Sequence, residues 1–534
     1  MNFSLHHDHS PRLPRLALGL LVGIYLLAGM FGHDPWKGED AIHLAIAHGF
    51  WQGNDWLIPR IAGEVWPHTA PLYHWIAASL GGLLTPLVTF HDAARLTTTL
   101  FGILFLVALT GAARSFYGDT ASRIAPLLAI GTIGLLVSLH EAQPAIAGLA
   151  FAALAWWGAG LLTQDNRKGA LLLGLGLGLS FAAHGLVGLL MAAAVLPAPI
   201  FRRDLKGFLI ALAVALPVAL LWPILLWQAA PETLAIWWQN EWAEATLGRR
   251  LPSPGHLEII AWATWPILPL SLWGARILPR DSARLWLPLS GIFLGLAWYL
   301  SGPARTLSLF PVLIPLILLA SAGAARLRRS STNAFDWFGA ITFSLIALLI
   351  WLGASAIALG WPAPIARNFA KLAPGHEGHI GLWALGFAIT ATLGWLAAWR
   401  LPRAPWRSSL RWAAGVTMMW VLVTSLWIGW IDHYKNYRPV ALSLRNALPD
   451  NTDCLEREGL GTSQRAMLEY FVGIRTVAPS RARNCTWRLA IDDPGRETPA
   501  GWMQVWQGSR PSDRKERWYL ERRETPREDA PLEE

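Results

Sequence analysis

The sequence predicts an all-α polytopic membrane bundle of about 13 transmembrane helices, followed by a small α/β domain outside the membrane. Three observations carry this. Of 534 residues, 54% are hydrophobic and only 15% charged, against roughly 25% charged in soluble domains. A chain this apolar has more nonpolar surface than one water-soluble core can hide, and lipid is the natural solvent for the rest. There are 32 Trp, a residue that favours the headgroup level, where its ring is half buried and its N–H stays wet. Finally, apolar runs of span length recur along the chain and are separated by short basic clusters.

The charge-free stretches of about 15 residues or more are 16–31, 96–113, 124–139, 142–162, 207–228, 259–275, 285–300, 307–325, 338–360, 380–398 and 412–431. No small-x-small cleavage site follows 16–31, so it reads as a retained span rather than a signal peptide. Residues 169–201 also lack Asp, Glu, Lys and Arg. They are too long for one upright helix and are interrupted by His184-Gly185. They read as two short spans joined by a tight hairpin at His184.

Orientation follows from the basic residues. With the N-terminus in the cytoplasm, 19 Lys and Arg, from Arg12 and Arg15 to Arg407 and Arg411, fall on the inner side in about 70 positions. The outer loops before Asp432 hold eight in about 120 positions. The net charge of +9 thus reflects membrane topology, and no stripe suited to nucleic acid appears. This orientation places the C-terminal domain outside the cytoplasmic membrane.

The chain divides into a membrane domain, 1–431, and an α/β domain, 432–534. Within the first, 32–94 is a large outer loop. Its moderately apolar pieces, 41–51 and 71–87, suit helices lying along the interface. Reading 71–87 as one more span would invert every later loop. In the C-terminal domain, 463–472 reads as a helix, and 475–477, 486–491, 503–506 and 518–522 read as strands. Its two cysteines, Cys454 and Cys485, face an oxidising compartment in this topology and are expected to pair. The charged tail, 523–534, is expected to be disordered.

Ionisable groups at membrane depth are costly and usually have a task. Four clusters qualify. Glu39-Asp40 follows the first span; such a pair suits a general base or a cation, and equally a solvated loop. His68, Tyr73 and His74 lie in an aromatic stretch that suits phosphate binding or structural hydrogen bonding, without tight metal spacing. Glu141 sits between two spans with almost no loop, as a functional acid or a snorkelling span end. Arg249, Arg250 and Arg305 suit bidentate phosphate contact, or ordinary headgroup contact. No phosphate-binding P-loop, dinucleotide Gly fingerprint or Gly-x-Ser-x-Gly elbow stands out. An enzyme facing the outside has no nucleotide to use, so a sugar donor would arrive attached to a lipid.

The order of motifs resembles the GT-C superfamily of glycosyltransferases, in particular the bacterial branch with the lipid A aminoarabinose transferase and the protein O-mannosyltransferases. The resembling residues are Lys37-Gly38-Glu39-Asp40-Ala41, then Gly53-Asn54-Asp55-Trp56-Leu57-Ile58-Pro59, Thr69-Ala70-Pro71-Leu72-Tyr73-His74-Trp75 and Asp92-Ala93-Ala94-Arg95-Leu96. The Gly-rich run from Gly176 to Gly185 completes the series. The resemblance covers the whole chain and implies a polyprenyl-phosphate sugar donor, with lipid A, a glycan or a protein as acceptor. It implies a catalytic acid at Glu39 or Asp40 and phosphate contacts at Arg249 and Arg305. Three charged family positions differ: His68-Thr69 stands for Glu-Lys, Gln143 for an acid with Glu141 two residues away, and His184 for Lys. These changes imply a different donor or acceptor, or reduced activity.

The expected function is therefore a periplasmic-face glycosyltransferase, a hexosyl- or pentosyltransferase. Glu39 or Asp40 would act as base, Arg249, Arg250 and Arg305 would meet the leaving phosphate, and His68 or His184 would assist. No protein metal site is expected, and a divalent cation stays open as cofactor. The rival readings are a transporter or flippase for lipid-linked sugars and a non-catalytic binder of them. The transporter reading requires charges inside spans and an internal repeat, and neither is seen.

Overall fold

The structure is a computed structural model that describes residues 15–36, 38–53, 55–164, 167–193, 195, 204–246, 251–280, 282–452, 454–482, 485–511, 513 and 516–524. Arg12, Lys37, Arg202, Arg203, Arg249 and Arg250 lie outside the described residues.

Every apolar stretch read from the sequence contains helix, and the chain is a multi-pass membrane protein. The count of 13 spans is not reached. Among the described residues eight helices are long and apolar enough to cross a membrane, or nine if one bent pair is a single span. The stretch at 16–31 is helical over Arg15–Leu27, and that at 380–398 over Leu382–Ala398; both are shorter than the rest. The 259–275 stretch divides into Pro254–Ala263 and Ile267–Ile277. Pro266, without an N–H, cannot extend the first piece into the second. The 124–139 stretch is the bent pair: it turns by 68° between Asp119–Ile130 and Ile133–His140. Trp412 Nε1 donates to the freed Gly131 carbonyl at 2.9 Å, which keeps the break satisfied inside the bundle.

Pro144–Leu162 and Leu307–Ala324 are the central helices and are almost wholly buried. Leu205–Ala229 is peripheral and turns Leu209, Leu216, Leu221 and Leu225 outward, as lipid contact requires. Between the centre and this edge runs Lys168–Ala193. Its glycines permit close approach on both sides. A Cβ on Gly176 would lie 2.4 Å from the Ala155 nitrogen, and one on Gly178 would lie 2.7 Å from the Ala215 carbonyl. Small residues at such contacts let helix backbones pack directly where no hydrophobic effect drives association.

The loop at 32–94 holds two helices, Glu39–Trp51 and Leu72–Leu84. The second, 13 residues long, reaches roughly 20 Å and is too short to cross a bilayer. Between them lies a hairpin that sequence reading missed: β1, Arg60–Ile61, and β2, Glu64–Val65, pair antiparallel around Ala62-Gly63. Both turn residues have positive φ, 51° and 78°, as a tight two-residue turn demands.

The C-terminal region carries the helices Arg438–Ala447 and Thr462–Val472 and a four-stranded sheet. Its strands are β3, Leu455–Glu458; β4, Trp487–Asp492; β5, Trp502–Gly508; and β6, Arg517–Arg523, in the order β3-β4-β6-β5. β3 and β4 are parallel with Leu455 opposite Trp487, and the other pairs are antiparallel with Leu489 and Trp506 both opposite Leu520. The expected strand at 475–477 is not one. Only Val477 bridges, to Glu456; the Arg475 side chain goes to Glu469, its Nε 2.7 Å from Oε1. Of the tail expected to be disordered, 523–534, Arg523 instead ends β6; from 525 onward it lies outside the described residues. Cys454 and Cys485 form a disulfide, their Cα atoms 5.3 Å apart.

This region grips the 32–94 loop. Arg438 Nε donates to Asp34 at 2.7 Å, His91 Nδ1 lies 2.8 Å from the Tyr470 hydroxyl, and the Ala62 N–H donates to Glu469 at 2.6 Å. Arg457 forks onto both Glu64 oxygens at 2.9 and 3.1 Å. The loop that bears the candidate residues is therefore fixed from both sides.

Candidate active site

Glu39 and Asp40 open a helix whose N-cap, Gly38, sits at φ 120°. Acids in a first turn are favoured by the helix dipole. Neighbours on a helix point about 100° apart, and these two have different surroundings. Asp40 is 2% exposed. Arg95, from the helix Phe90–Tyr117, reaches it with Nη2 at 2.7 Å and Nε at 3.2 Å, and the Ala142 N–H adds a third bond at 2.8 Å. Burial opposes the charge on Asp40, and Arg95 more than offsets it, so the carboxyl stays below the usual carboxylate range. Arg95 also holds the His33 carbonyl and Asp92. Asp40 is thus the centre of a sealed clamp.

Glu39 faces a cavity of about 250 Å³, and its side chain is 49% exposed there. His43, one turn along, places Nε2 3.0 Å from Glu39 Oε2. That hydrogen bond, opposed by partial burial and aided by the charge of Arg305, holds Glu39 below its ordinary value.

Five further segments complete the wall. The stretch after β2 contributes His68, whose ring centroid lies 4.4 Å from that of Trp66; burial lowers this imidazole. Gln143, at the cap of Pro144–Leu162, contributes another side. His184 stands at the tip of the Lys168–Ala193 unit, where helical geometry breaks at His184 and Gly185 (φ 57°). The Ser180 hydroxyl donates to the Gly188 carbonyl at 2.7 Å, so the chain folds back on itself, as expected of a hairpin. Arg305 enters from the loop after Ala283–Leu300, next to Gly302, whose carbonyl lies 2.9 Å from His256 Nε2.

The fifth segment was missed in the sequence. The helix Pro231–Thr246 presents Glu241 and Glu244 to the cavity. Glu241 is 5% exposed and accepts from the Leu186 N–H at 2.7 Å. Burial pushes it up to about 8. Burial also raises Glu244, with Glu39 adding repulsion. Trp237, Glu241 and Glu244 share one helix face at spacings of four and three, the only signal that pointed inward. His43 was missed too, although it stands four residues after Glu39.

Other candidates fall elsewhere. Tyr73 is buried with its hydroxyl 2.7 Å from Thr98 Oγ1. His74 is buried behind His43, with Nε2 3.0 Å from His43 Nδ1. Neither lines the cavity. Glu141 lies off the wall as well; burial, with the charge of Asp40, raises it to about 7. Arg249 and Arg250 follow the Pro231–Thr246 helix but lie outside the described residues. Among the described residues no group of three His, Cys, Asp or Glu side chains converges to hold a metal ion.

No family model matches the chain, and no curated protein sequence does. Solved structures do share its fold. ArnT from Cupriavidus metallidurans bound to undecaprenyl phosphate is 15% identical, with a TM-score of 0.69 over 95% of this chain and 97% of that one. The same protein in the apo state is 16% identical, with a TM-score of 0.63 over 95% and 96%. Over nearly its whole length, then, this chain has the fold of ArnT.

Proposed function

We propose that this chain is a glycosyltransferase that takes a sugar from a polyprenyl-phosphate donor and passes it to an acceptor at the periplasmic face of a bacterial inner membrane. One observation carries the reading: of the Glu39-Asp40 pair only Glu39 opens onto a cavity, and that cavity also holds Arg305. A base and a phosphate-binding cation on one wall are what glycosyl transfer from a lipid phosphate requires. The fold shared with a protein seen bound to undecaprenyl phosphate supports the donor class. The Arg asymmetry of the loops and the Cys454–Cys485 disulfide support a C-terminal domain, 432–534, on the periplasmic side, with the N-terminus in the cytoplasm.

In the proposed step, an acceptor hydroxyl oxygen attacks the anomeric carbon while its proton passes to Glu39. The bond from that carbon to the phosphate oxygen breaks, and its electron pair stays on the phosphate. Arg305, with Arg249 and Arg250 proposed to join it, offsets that charge. Glu39 enters ionised, and His43 keeps one oxygen occupied so that the other is aimed at the cavity.

The three positions that depart from the family pattern, His68-Thr69, Gln143 and His184, all line this one cavity. This favours a donor or acceptor different from that of the aminoarabinose enzyme; the same observation is the best support for the alternative, a non-catalytic binder. Mass spectrometry of lipid A, envelope glycans and periplasmic proteins from a deletion strain tests the proposal. A modification lost on deletion, restored by the native gene and not by Glu39→Gln, is the expected result. Restoration by Glu39→Gln with Asp40→Asn would remove the acid role.

A further inference from the structure

The transfer step uses Glu39, but Glu39 is the first of three side chains in a row. His43 Nε2 lies 3.0 Å from Glu39 Oε2, and His43 Nδ1 lies 3.0 Å from His74 Nε2. His43 comes from the same helix as Glu39, and His74 from Leu72–Leu84. His74 is fully buried and forms no part of the cavity wall.

A contact between two ring nitrogens needs one of them to donate. With Glu39 ionised and His43 neutral, one arrangement satisfies both contacts. His43 Nε2–H donates to the carboxylate, and His43 Nδ1 accepts from His74 Nε2–H. The remaining nitrogen of His74, Nδ1, is then a bare lone pair: no hydrogen bond of good geometry reaches it, and the Ala70 carbonyl contacts the His74 ring only weakly. The reversed tautomer of His43 would set a lone pair against the carboxylate.

The other charged and titratable groups facing Glu39 are His68 from the stretch after β2, His184 from the hairpin tip, Glu241 and Glu244 from Pro231–Thr246, and Arg305. Glu141 acts on it through space. His184 and Arg305 favour the Glu39 charge, whereas Glu244 and Glu141 oppose it. None of them donates a hydrogen bond to its carboxylate; His43 does.

We infer that Glu39, His43 and His74 form a carboxylate–imidazole–imidazole row in which His74, out of reach of substrate, fixes the tautomer of His43 and through it the charge state and aim of Glu39. His74 is then a positioning residue. The inference rests on reading Glu39 as the base of a glycosyl transfer, but the row can be tested apart from that reading.

The test is an infrared pH titration of the purified full chain, with the Glu39 band identified as the one lost in Glu39→Gln. His74→Phe removes the donor to His43 and is expected to raise the Glu39 midpoint by roughly one pH unit. His74→Gln, whose amide N–H replaces that donor, is expected to leave the midpoint near the native one. His43→Leu is expected to raise it at least as far as His74→Phe, and adding His74→Phe to His43→Leu is expected to add nothing, since the two act in series. A native midpoint in folded His74→Phe, or a full further shift in the His43→Leu background, would overturn the inference. If His74→Phe does not fold, His43→Leu against His74→Gln decides: an unmoved midpoint in His43→Leu also overturns it.

Transfer is read separately, with 14C-labelled undecaprenyl-phosphate aminoarabinose and undecaprenyl-phosphate mannose as donors and lipid A and envelope protein as acceptors. The acid limb of kcat is expected to move with the infrared midpoint while KM changes less than about twofold. A midpoint that moves as described in a native chain that transfers neither sugar supports the row and counts against the glycosyl-transfer reading.

Discussion

Glu39→Gln keeps the shape of the side chain and removes its charge. It is expected to lower kcat by roughly 10²–10⁴-fold with unchanged thermal stability, measured by turnover and melting in the same detergent. Asp40→Asn is expected to do something different. It strips the buried Arg95 of its main counter-charge, a change that costs roughly 3–5 kcal/mol, so the loss should appear first in melting temperature. Glu241 makes a pH prediction. Its folded value, about 8, lies above its ordinary value of 4.5 because of burial. A raised carboxyl stabilises the fold fully below its unfolded value and loses that contribution as pH rises through the folded one. Melting of the native chain should therefore fall more steeply from about pH 5 to pH 9 than that of Glu241→Gln. At this scale the sequence showed the acidic pair, the histidines and Arg305 as residue types. It did not show which of Glu39 and Asp40 faced outward, because that depends on Arg95, 55 residues away. Glu241 and Glu244 carry little sequence signal beyond their spacing from Trp237; it is Leu186 and the cavity set against them that mark them out.

At the scale of elements, the hairpin at His184-Gly185 is the one on which the site depends most. Gly185 has φ 57°, and a Cβ there would lie 1.9 Å from Glu241 Oε2. Gly185→Ala is expected to cost roughly 1–2 kcal/mol for the left-handed backbone, with further loss as Glu241 is pushed off the Leu186 N–H. Its effect on turnover should exceed that of a substitution at the exposed Gly19, checked side by side. The hairpin was legible because an uncharged run too long for one span contained His-Gly at its middle. The 68° bend at Gly131-Thr132 was not, because the run around it is continuously apolar and the partner that satisfies the break, Trp412, lies far along the chain. The division at Pro266 was likewise hidden in a run whose hydropathy suited one span. In the C-terminal sheet, β4 and β6 were legible from their apolar residues, while β3, Leu-Glu-Arg-Glu, lacks every strand signal except its pairing with β4.

At the scale of the molecule, the bundle, the 32–94 loop and the C-terminal region act as one frame. The disulfide closes a loop of sequence separation 31, a linkage worth about 2–4 kcal/mol. Reduction, or Cys454→Ser with Cys485→Ser, is expected to lower the melting temperature and to loosen the grip of Glu469 on β1–β2, read as faster amide exchange at Ala62. The bundle class was legible because hydropathy is a property of composition over long windows. The convergence of six separate segments on one cavity was not, since nothing in a linear sequence measures distance. The most direct test is transfer itself. The full chain in liposomes, given labelled undecaprenyl-phosphate sugars and envelope acceptors, is expected to form a labelled product and free undecaprenyl phosphate, with both lost in Glu39→Gln and retained in folded His48→Gln. Equal turnover by native chain and Glu39→Gln would contradict the account.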